Sequence, residues 1–150
     1  MRKYIFLFII GFLITMCSQE KETKVLISTS VGDIVVKLYN ETPQHRDNFI
    51  KLGKDGFYEG LIFHRVINEF MIQGGDPTLR VSLDGSEPDT TELNYTIPAE
   101  FRTPEIFHKR GALAAARHGD DVNPERASSA SQFYIVTGKQ FIEEGLDNLQ

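Results

Sequence analysis

Tryptophan is absent from this 150-residue chain, and cysteine occurs once, at Cys17. A lone cysteine excludes an internal disulfide and any cysteine-built metal site. Basic residues are the minority, 16 Lys and Arg against 21 Asp and Glu, for a net charge of −5. That balance argues against a nucleic-acid surface, which needs a basic patch to neutralise phosphates. There is no long block of one charge sign, no internal repeat and no low-complexity tract. A disordered acidic or basic tail is therefore not expected. The four histidines, His45, His64, His108 and His118, form no HxxxH or HExxH pattern. No metal is expected on that spacing, and no cofactor is implied. Ser128, Ser129 and Ser131 lack the glycine pattern of a nucleophile elbow, so a serine hydrolase is not expected either.

Only one long apolar run exists, Tyr4 to Met16, behind Arg2 and Lys3. It falls short of the ~20 residues that a membrane-spanning helix needs. The pattern is that of an export signal, which is not part of a fold. Ile14-Thr15-Met16-Cys17 resembles the lipobox of bacterial lipoproteins, with Met16 where Gly, Ala or Ser is usual. The resemblance implies a lipidated Cys17 as the new N-terminus, a membrane anchor, and a place in the bacterial cell envelope, facing the periplasm from the inner or outer membrane. Three segments follow from this reading: a signal at 1–16, a lipidated cysteine and polar tether at 17–24, and one domain at 25–150. That length suits a single domain of ordinary size.

Within the domain, Val25–Ser30 and Asp33–Tyr39 alternate apolar and polar residues and predict a β-hairpin through Val31-Gly32. Thr42-Pro43 predicts a helix start, with Thr42 as cap and Pro43 at the first position. Phe49, Ile50 and Leu52 form its apolar side, and Gly53 or Gly56 ends it near Lys54. Residues 77–94 read as a long surface loop. Tyr95–Ile97, Leu113–Arg117 and Gln132–Thr137 read as strands, with a polar loop from His118 to Ala130. Lys139–Gln150 reads as the beginning of a helix, with Phe141, Ile142, Leu146 and Leu149 apolar.

The most informative stretch is Phe63-His64-Arg65-Val66-Ile67-Asn68-Glu69-Phe70-Met71-Ile72-Gln73-Gly74-Gly75-Asp76. Met71 and Gln73, two apart, share one face of a strand. An apolar surface with polar groups at Arg65 and Gln73 suits a short apolar side chain beside a peptide carbonyl. The stretch resembles the central signature of the cyclophilins, which are peptidyl-prolyl cis/trans isomerases. Gly111-Ala112-Leu113-Ala114-Ala115-Ala116-Arg117 resembles the second motif of that family, and Ser128-Ser129-Ala130-Ser131-Gln132-Phe133-Tyr134-Ile135 the third. The three stand in family order, and the likeness runs from about Val25 to Lys139.

The resemblance implies a mainly β fold, a cyclophilin-like antiparallel barrel with a flanking helix. A family barrel has further strands and a second helix after position 150, so an incomplete barrel is expected here. It implies isomerase activity on proline-containing unfolded or newly exported polypeptides. Cis and trans prolyl bonds are close in energy and separated by a barrier of about 20 kcal/mol, because rotation breaks amide resonance. A catalyst needs only to hold the ring and favour the twisted amide over both ground states. Arg65 is the catalytic residue by resemblance, its planar donors reaching the proline carbonyl and nitrogen. Phe70, Met71 and either Phe133 or Tyr134 form the proline pocket, since strand alternation sends the last two to opposite faces; the motif matches Tyr134, where Phe is commoner. Gln73 binds substrate backbone, Ala116 and Arg117 line the adjoining groove, and Gln132 supports it. Arg117 stands where many relatives have Asn. Phe141 is the candidate for an aromatic position usually held by Trp. A second reading, a proline-peptide binding or chaperone module without turnover, or an inactive fragment, stays open at the level of sequence.

Overall fold

The computed structural model describes residues 22–82 and 85–139. The expected signal, Cys17 with most of its tether, Phe141 and the helix expected after Lys139 lie outside the described residues. In chain order the elements are β1 (Thr23–Thr29), β2 (Gly32–Leu38), α1 (Pro43–Lys54), β3 (Arg65–Ile67), β4 (Met71–Gly74), β5 (Thr96–Ile97), β6 (Leu113–Ala115), β7 (Ser128–Ser129) and β8 (Phe133–Val136). All strand pairings among the described residues are antiparallel, in three sheets: β1-β2, β3-β4-β8-β6 and β5-β7. The architecture is the mainly β one that the sequence predicts.

The hairpin forms because Ile34, Val36 and Leu38 alternate with polar or exposed positions, so one face can be buried. Val36 and Leu38 are buried. The Thr29 hydroxyl accepts from the Val31 N–H at 3.2 Å and donates to the Gly32 carbonyl at 2.6 Å, which closes the turn.

Helix α1 has the expected bounds but a different cap. Thr42 occupies the N-cap position, yet its side chain makes no capping bond. The Glu100 carboxylate caps instead, accepting from the Gln44 N–H at 3.1 Å and the His45 N–H at 3.0 Å. A carboxylate at a helix N-terminus meets both unpaired donors and the positive end of the helix dipole. At the other end, Gly56 takes a left-handed φ of +72°, just past the last turn.

Phe133 organises the core. It is 8% exposed and its ring meets Phe49 at 5.5 Å, Tyr58 at 5.7 Å and Phe63 at 6.0 Å, each nearly edge-on. Such edge-to-face contacts set the aromatic quadrupoles favourably. Burial pushes the Tyr58 phenol well above its ordinary pKa. Phe49 brings α1 onto this cluster, and Leu52 of the same helix is 3% exposed.

Two stretches read as loops contain short elements. A 3-10 turn occupies Pro77–Leu79. Strand β7 lies inside the segment read as the His118–Ala130 loop. Arg80 ties the first of these segments down. Its guanidinium donates to the carbonyls of Phe57 (2.7 Å) and Glu59, and its Nε to that of Asp89 at 2.7 Å.

Candidate active site

The register of the four-stranded sheet builds the site. Arg65 lies opposite Gln73, and Gln73 opposite Tyr134, so three side chains from β3, β4 and β8 stand in one cross-strand row. Directly opposed residues share a face. Met71 lies two positions along β4, opposite Val136, on that same face. Phe133, the neighbour of Tyr134, must then face the other way, into the aromatic core. The structure thus divides the pair: Tyr134 lines the cleft and Phe133 packs inside.

The cleft has a volume of about 730 Å³, and Arg65, Phe70, Met71, Gln73, Ala116, Arg117, Gln132 and Tyr134 all line it. Every substrate-contacting residue expected from the sequence, Phe141 apart, is therefore at one place. Met71 is 2% exposed and forms the floor, whereas Phe70 is 50% exposed and forms a rim. Phe70 sits on the turn between β3 and β4, where Glu69 takes a left-handed φ of +58°. Its carbonyl accepts from the Thr137 and Gly138 N–H groups at 2.9 and 3.1 Å, which pins the turn to the end of β8.

A directed chain of hydrogen bonds crosses the cleft. Arg65 Nη1 donates to Gln73 Oε1 at 3.3 Å, Gln73 Nε2 donates to Gln132 Oε1 at 3.0 Å, and Gln132 Nε2 donates to Asp76 Oδ2 at 3.4 Å. A guanidinium can only donate and an ionised carboxylate can only accept, so the two charged ends fix the orientation of both carboxamides. Gln73 Nε2 carries a second N–H beyond the one used in this chain. Asp76 is placed by its own turn, with Oδ1 accepting from the Thr78 N–H at 3.0 Å and hydroxyl at 2.6 Å. Gly75 makes this approach possible: a Cβ there would lie 2.2 Å from the Ser131 carbonyl oxygen, and its φ is +90°.

Ala116 enters the cleft through backbone bonds on both sides. Its N–H donates to the Gln132 carbonyl at 2.9 Å and its carbonyl accepts from the Ser129 N–H at 2.8 Å. Arg117 is exposed and its guanidinium meets Asp120 at 2.6 Å, while Asp120 also pairs with Arg126 at 2.8 Å. The bond from Arg117, with the charges of both arginines beside it, holds the Asp120 carboxyl below the usual range.

Two participants were not evident from the sequence. Asp76 ends the chain of amides; it stood inside the quoted signature, but nothing local marks its partner. His108 stacks on Tyr134, with centroids 5.8 Å apart and planes at 23°, and its Nε2 lies 2.9 Å from the Tyr134 hydroxyl. Burial pushes the Tyr134 phenol above its ordinary pKa, an effect reduced by nearby Arg117.

The other histidines separate. His118 lines the cleft, His64 has a buried Nδ1 with no partner among the described residues, and His45 lies at the N-terminus of α1. No group of three or more metal-ligating side chains occurs among the described residues. His45 Nδ1 is 2.7 Å from Glu100 Oε2 and its Nε2 is 3.1 Å from the Ser128 hydroxyl. The order Ser-His-Glu resembles a hydrolytic triad, but Ser128 and Glu100 are buried, and Glu100 is committed to capping α1. Ser128 does not line the cleft. The trio joins α1 to β7 and to the segment after β5.

Comparison with known proteins agrees with this fold. The profile described as "Cyclophilin type peptidyl-prolyl cis-trans isomerase/CLD" matches residues 24–148. A Staphylococcus epidermidis protein, provisionally named a peptidyl-prolyl cis-trans isomerase, is 38% identical over 132 residues. A Staphylococcus aureus protein with the same provisional name is 37% identical over 137 residues. Each match covers 87% of this chain and 61% of the relative, so the chain spans about three-fifths of their length. A crystal structure of a Cryptosporidium parvum cyclophilin type peptidyl-prolyl cis-trans isomerase superposes with a TM-score of 0.63 at 31% identity, covering 80% of this chain and 70% of that one. A second crystal structure of that protein, in the presence of the dipeptide Ala-Pro, gives 0.61 at 28% identity, covering 85% and 84%. With the family profile spanning most of the domain, the chain belongs to the cyclophilin-type peptidyl-prolyl cis-trans isomerases.

Proposed function

We propose that the chain isomerises prolyl peptide bonds in unfolded or newly exported polypeptides, through non-covalent stabilisation of the twisted amide. One observation carries this reading: a guanidinium hydrogen-bonded to a carboxamide stands beside an apolar floor in a single cleft. The proline ring rests on Met71, between Phe70 and Tyr134. Gln73 donates to a substrate carbonyl, and Ala116 and Arg117 border the adjoining peptide. Arg65 directs its donors at the prolyl nitrogen, whose lone pair becomes available as the amide twists. Those interactions strengthen only in the transition state, which lowers the barrier. Uncatalysed isomerisation takes tens of seconds or more, so such a catalyst removes a slow folding step. The related structure obtained with Ala-Pro supports a prolyl dipeptide as the smallest probe.

We place this activity in the bacterial cell envelope, with the protein tethered by a lipid on Cys17. Arg2, Lys3 and the apolar run ending at Cys17 support that placement. Mass spectrometry of the mature protein tests it: an acylated Cys17 is expected, and an intact Met1 would refute it.

The activity is tested by NMR exchange or a protease-coupled assay on an Ala-Pro peptide. Arg65→Ala is expected to lose ~10²–10³-fold in kcat/KM, the loss typical of removing one transition-state donor. Peptide binding without acceleration by the wild-type chain would refute turnover and leave a binding module.

A further inference from the structure

We infer that His108 is a positioning residue for the proline site, holding the Tyr134 ring as its wall and giving its hydroxyl a partner once water has left. The inference rests on the proposed function, because it assumes that proline docks against Tyr134.

His108 does not line the cleft, although Tyr134 does. The imidazole stands behind the phenol, stacked on it at 5.8 Å and within 2.9 Å of its oxygen. This support is built on fixed backbone. His108 belongs to the turn that leads into β6, and the Gly111 N–H donates to the Val136 carbonyl at 2.8 Å. The Arg110 guanidinium donates to the Thr137 carbonyl. The turn is thus tied to the end of β8, the strand that carries Tyr134, and the two rings keep one relative placement.

The energetic reason is an asymmetry in polar desolvation. A phenylalanine would present only apolar surface to proline. Tyrosine adds a hydroxyl to a half-buried wall. In the open cleft the hydroxyl and His108 form an exposed pair for which water competes, and a proline docked against the ring narrows that water's access. A hydroxyl left without a partner costs far more than a satisfied one contributes. The Nε2 of His108 hydrogen-bonds the hydroxyl, as acceptor or as donor according to its tautomer, and removes this penalty. Loss of His108 therefore weakens substrate binding, not the catalytic step, and the loss requires the hydroxyl.

A double-mutant cycle on the full chain tests this with an Ala-Pro peptide. His108→Ala is expected to raise KM about fivefold while kcat changes less than twofold. Tyr134→Phe sets a KM of its own, and adding His108→Ala to it is expected to change that value less than twofold. An unchanged KM in His108→Ala overturns the inference, as does a fivefold rise that persists in the Tyr134→Phe background. If the wild-type chain binds without turnover, the same cycle is read as peptide Kd from NMR shifts. A ligand-free measurement separates this inference from the function on which it rests. Tyr134→Phe is expected to shift the ¹⁵N resonance of His108 Nε2 in the unliganded protein. Absence of that shift overturns the pairing, whereas a wild-type chain that neither binds nor turns over the peptide overturns the proposed function.

Discussion

Replacing Glu100 with glutamine should destabilise this protein by an amount that fades in acid. The carboxylate accepts three hydrogen bonds, from the Gln44 and His45 N–H groups and from His45 Nδ1, at 3.1, 3.0 and 2.7 Å. Its side chain is 5% exposed, so water cannot easily replace them. Loss of a helix cap costs about 1 kcal/mol, and loss of a hydrogen bond to a charged group about 1.5–3 kcal/mol. Glutamine keeps one acceptor oxygen but turns an N–H toward existing donors. Glu100→Gln should therefore cost about 2–4 kcal/mol at neutral pH.

Burial raises the Glu100 pKa, but the bonds from His45 and Gln44 outweigh it, and the net folded value lies below the ordinary one. A depressed folded pKa contributes stability that is complete above the unfolded value, ~4.3 for glutamate, and is lost as pH falls through the folded value. The gap between wild type and Glu100→Gln should thus be constant down to about pH 5 and narrow below about pH 4. Urea unfolding followed by far-ultraviolet circular dichroism measures it, since the chain has no tryptophan to report. A gap below about 0.5 kcal/mol at neutral pH, the level of ordinary surface changes, would refute the capping argument. A gap unchanged in acid would refute its electrostatic part.

Two more outcomes follow from the cleft. Gly75→Ala would place a Cβ 2.2 Å from the Ser131 carbonyl oxygen at a φ of +90°, so a loss above about 3 kcal/mol is expected, read as a fall in Tm. Asp76→Asn keeps the shape but supplies a donor where the amide chain needs an acceptor, so Gln132 turns its oxygen toward it while Arg65 still holds the Gln73 oxygen, and the Gln73–Gln132 link then sets two donors face to face. A rise in KM for the Ala-Pro peptide of about tenfold is expected, equivalent to ~1.4 kcal/mol, and an unchanged KM would show that the carboxylate does not set the direction of the chain.

Much of the fold was legible where local chemistry decided it. The hairpin followed from alternation at Ile34, Val36 and Leu38, and α1 from Pro43 and the apolar positions Phe49 and Leu52. The cap was not, because its acceptor comes from Glu100, far along the chain, while Thr42 offered a plausible local oxygen. Strand β7 was missed because two serines in a polar segment carry no strand pattern; their pairing with Thr96 and Ile97 is tertiary. Alternation required Phe133 and Tyr134 to face opposite ways, but only the register against Gln73 and Gly74 assigns each to its side. Resemblance marked Arg65, Phe70, Met71 and Gln73 as a set. It gave no sign of His108, because its contact with the Tyr134 ring and hydroxyl is tertiary.

Arg80 has a bearing on how this surface can vary. One side chain fastens its own position to the backbone at Phe57 and Glu59 and reaches Asp89 as well, so the stretch from Arg80 to Asp89 is moored at both ends. Composition between Arg80 and Asp89 can drift, or a foreign peptide can be grafted there, without dragging on the cross-strand row of Arg65, Gln73 and Tyr134. Beyond Asp89 the chain runs on to Glu92, Leu93 and Tyr95, which border the cleft. A graft between Arg80 and Asp89 should therefore be silent, whereas one after Asp89 should change the KM for the Ala-Pro peptide.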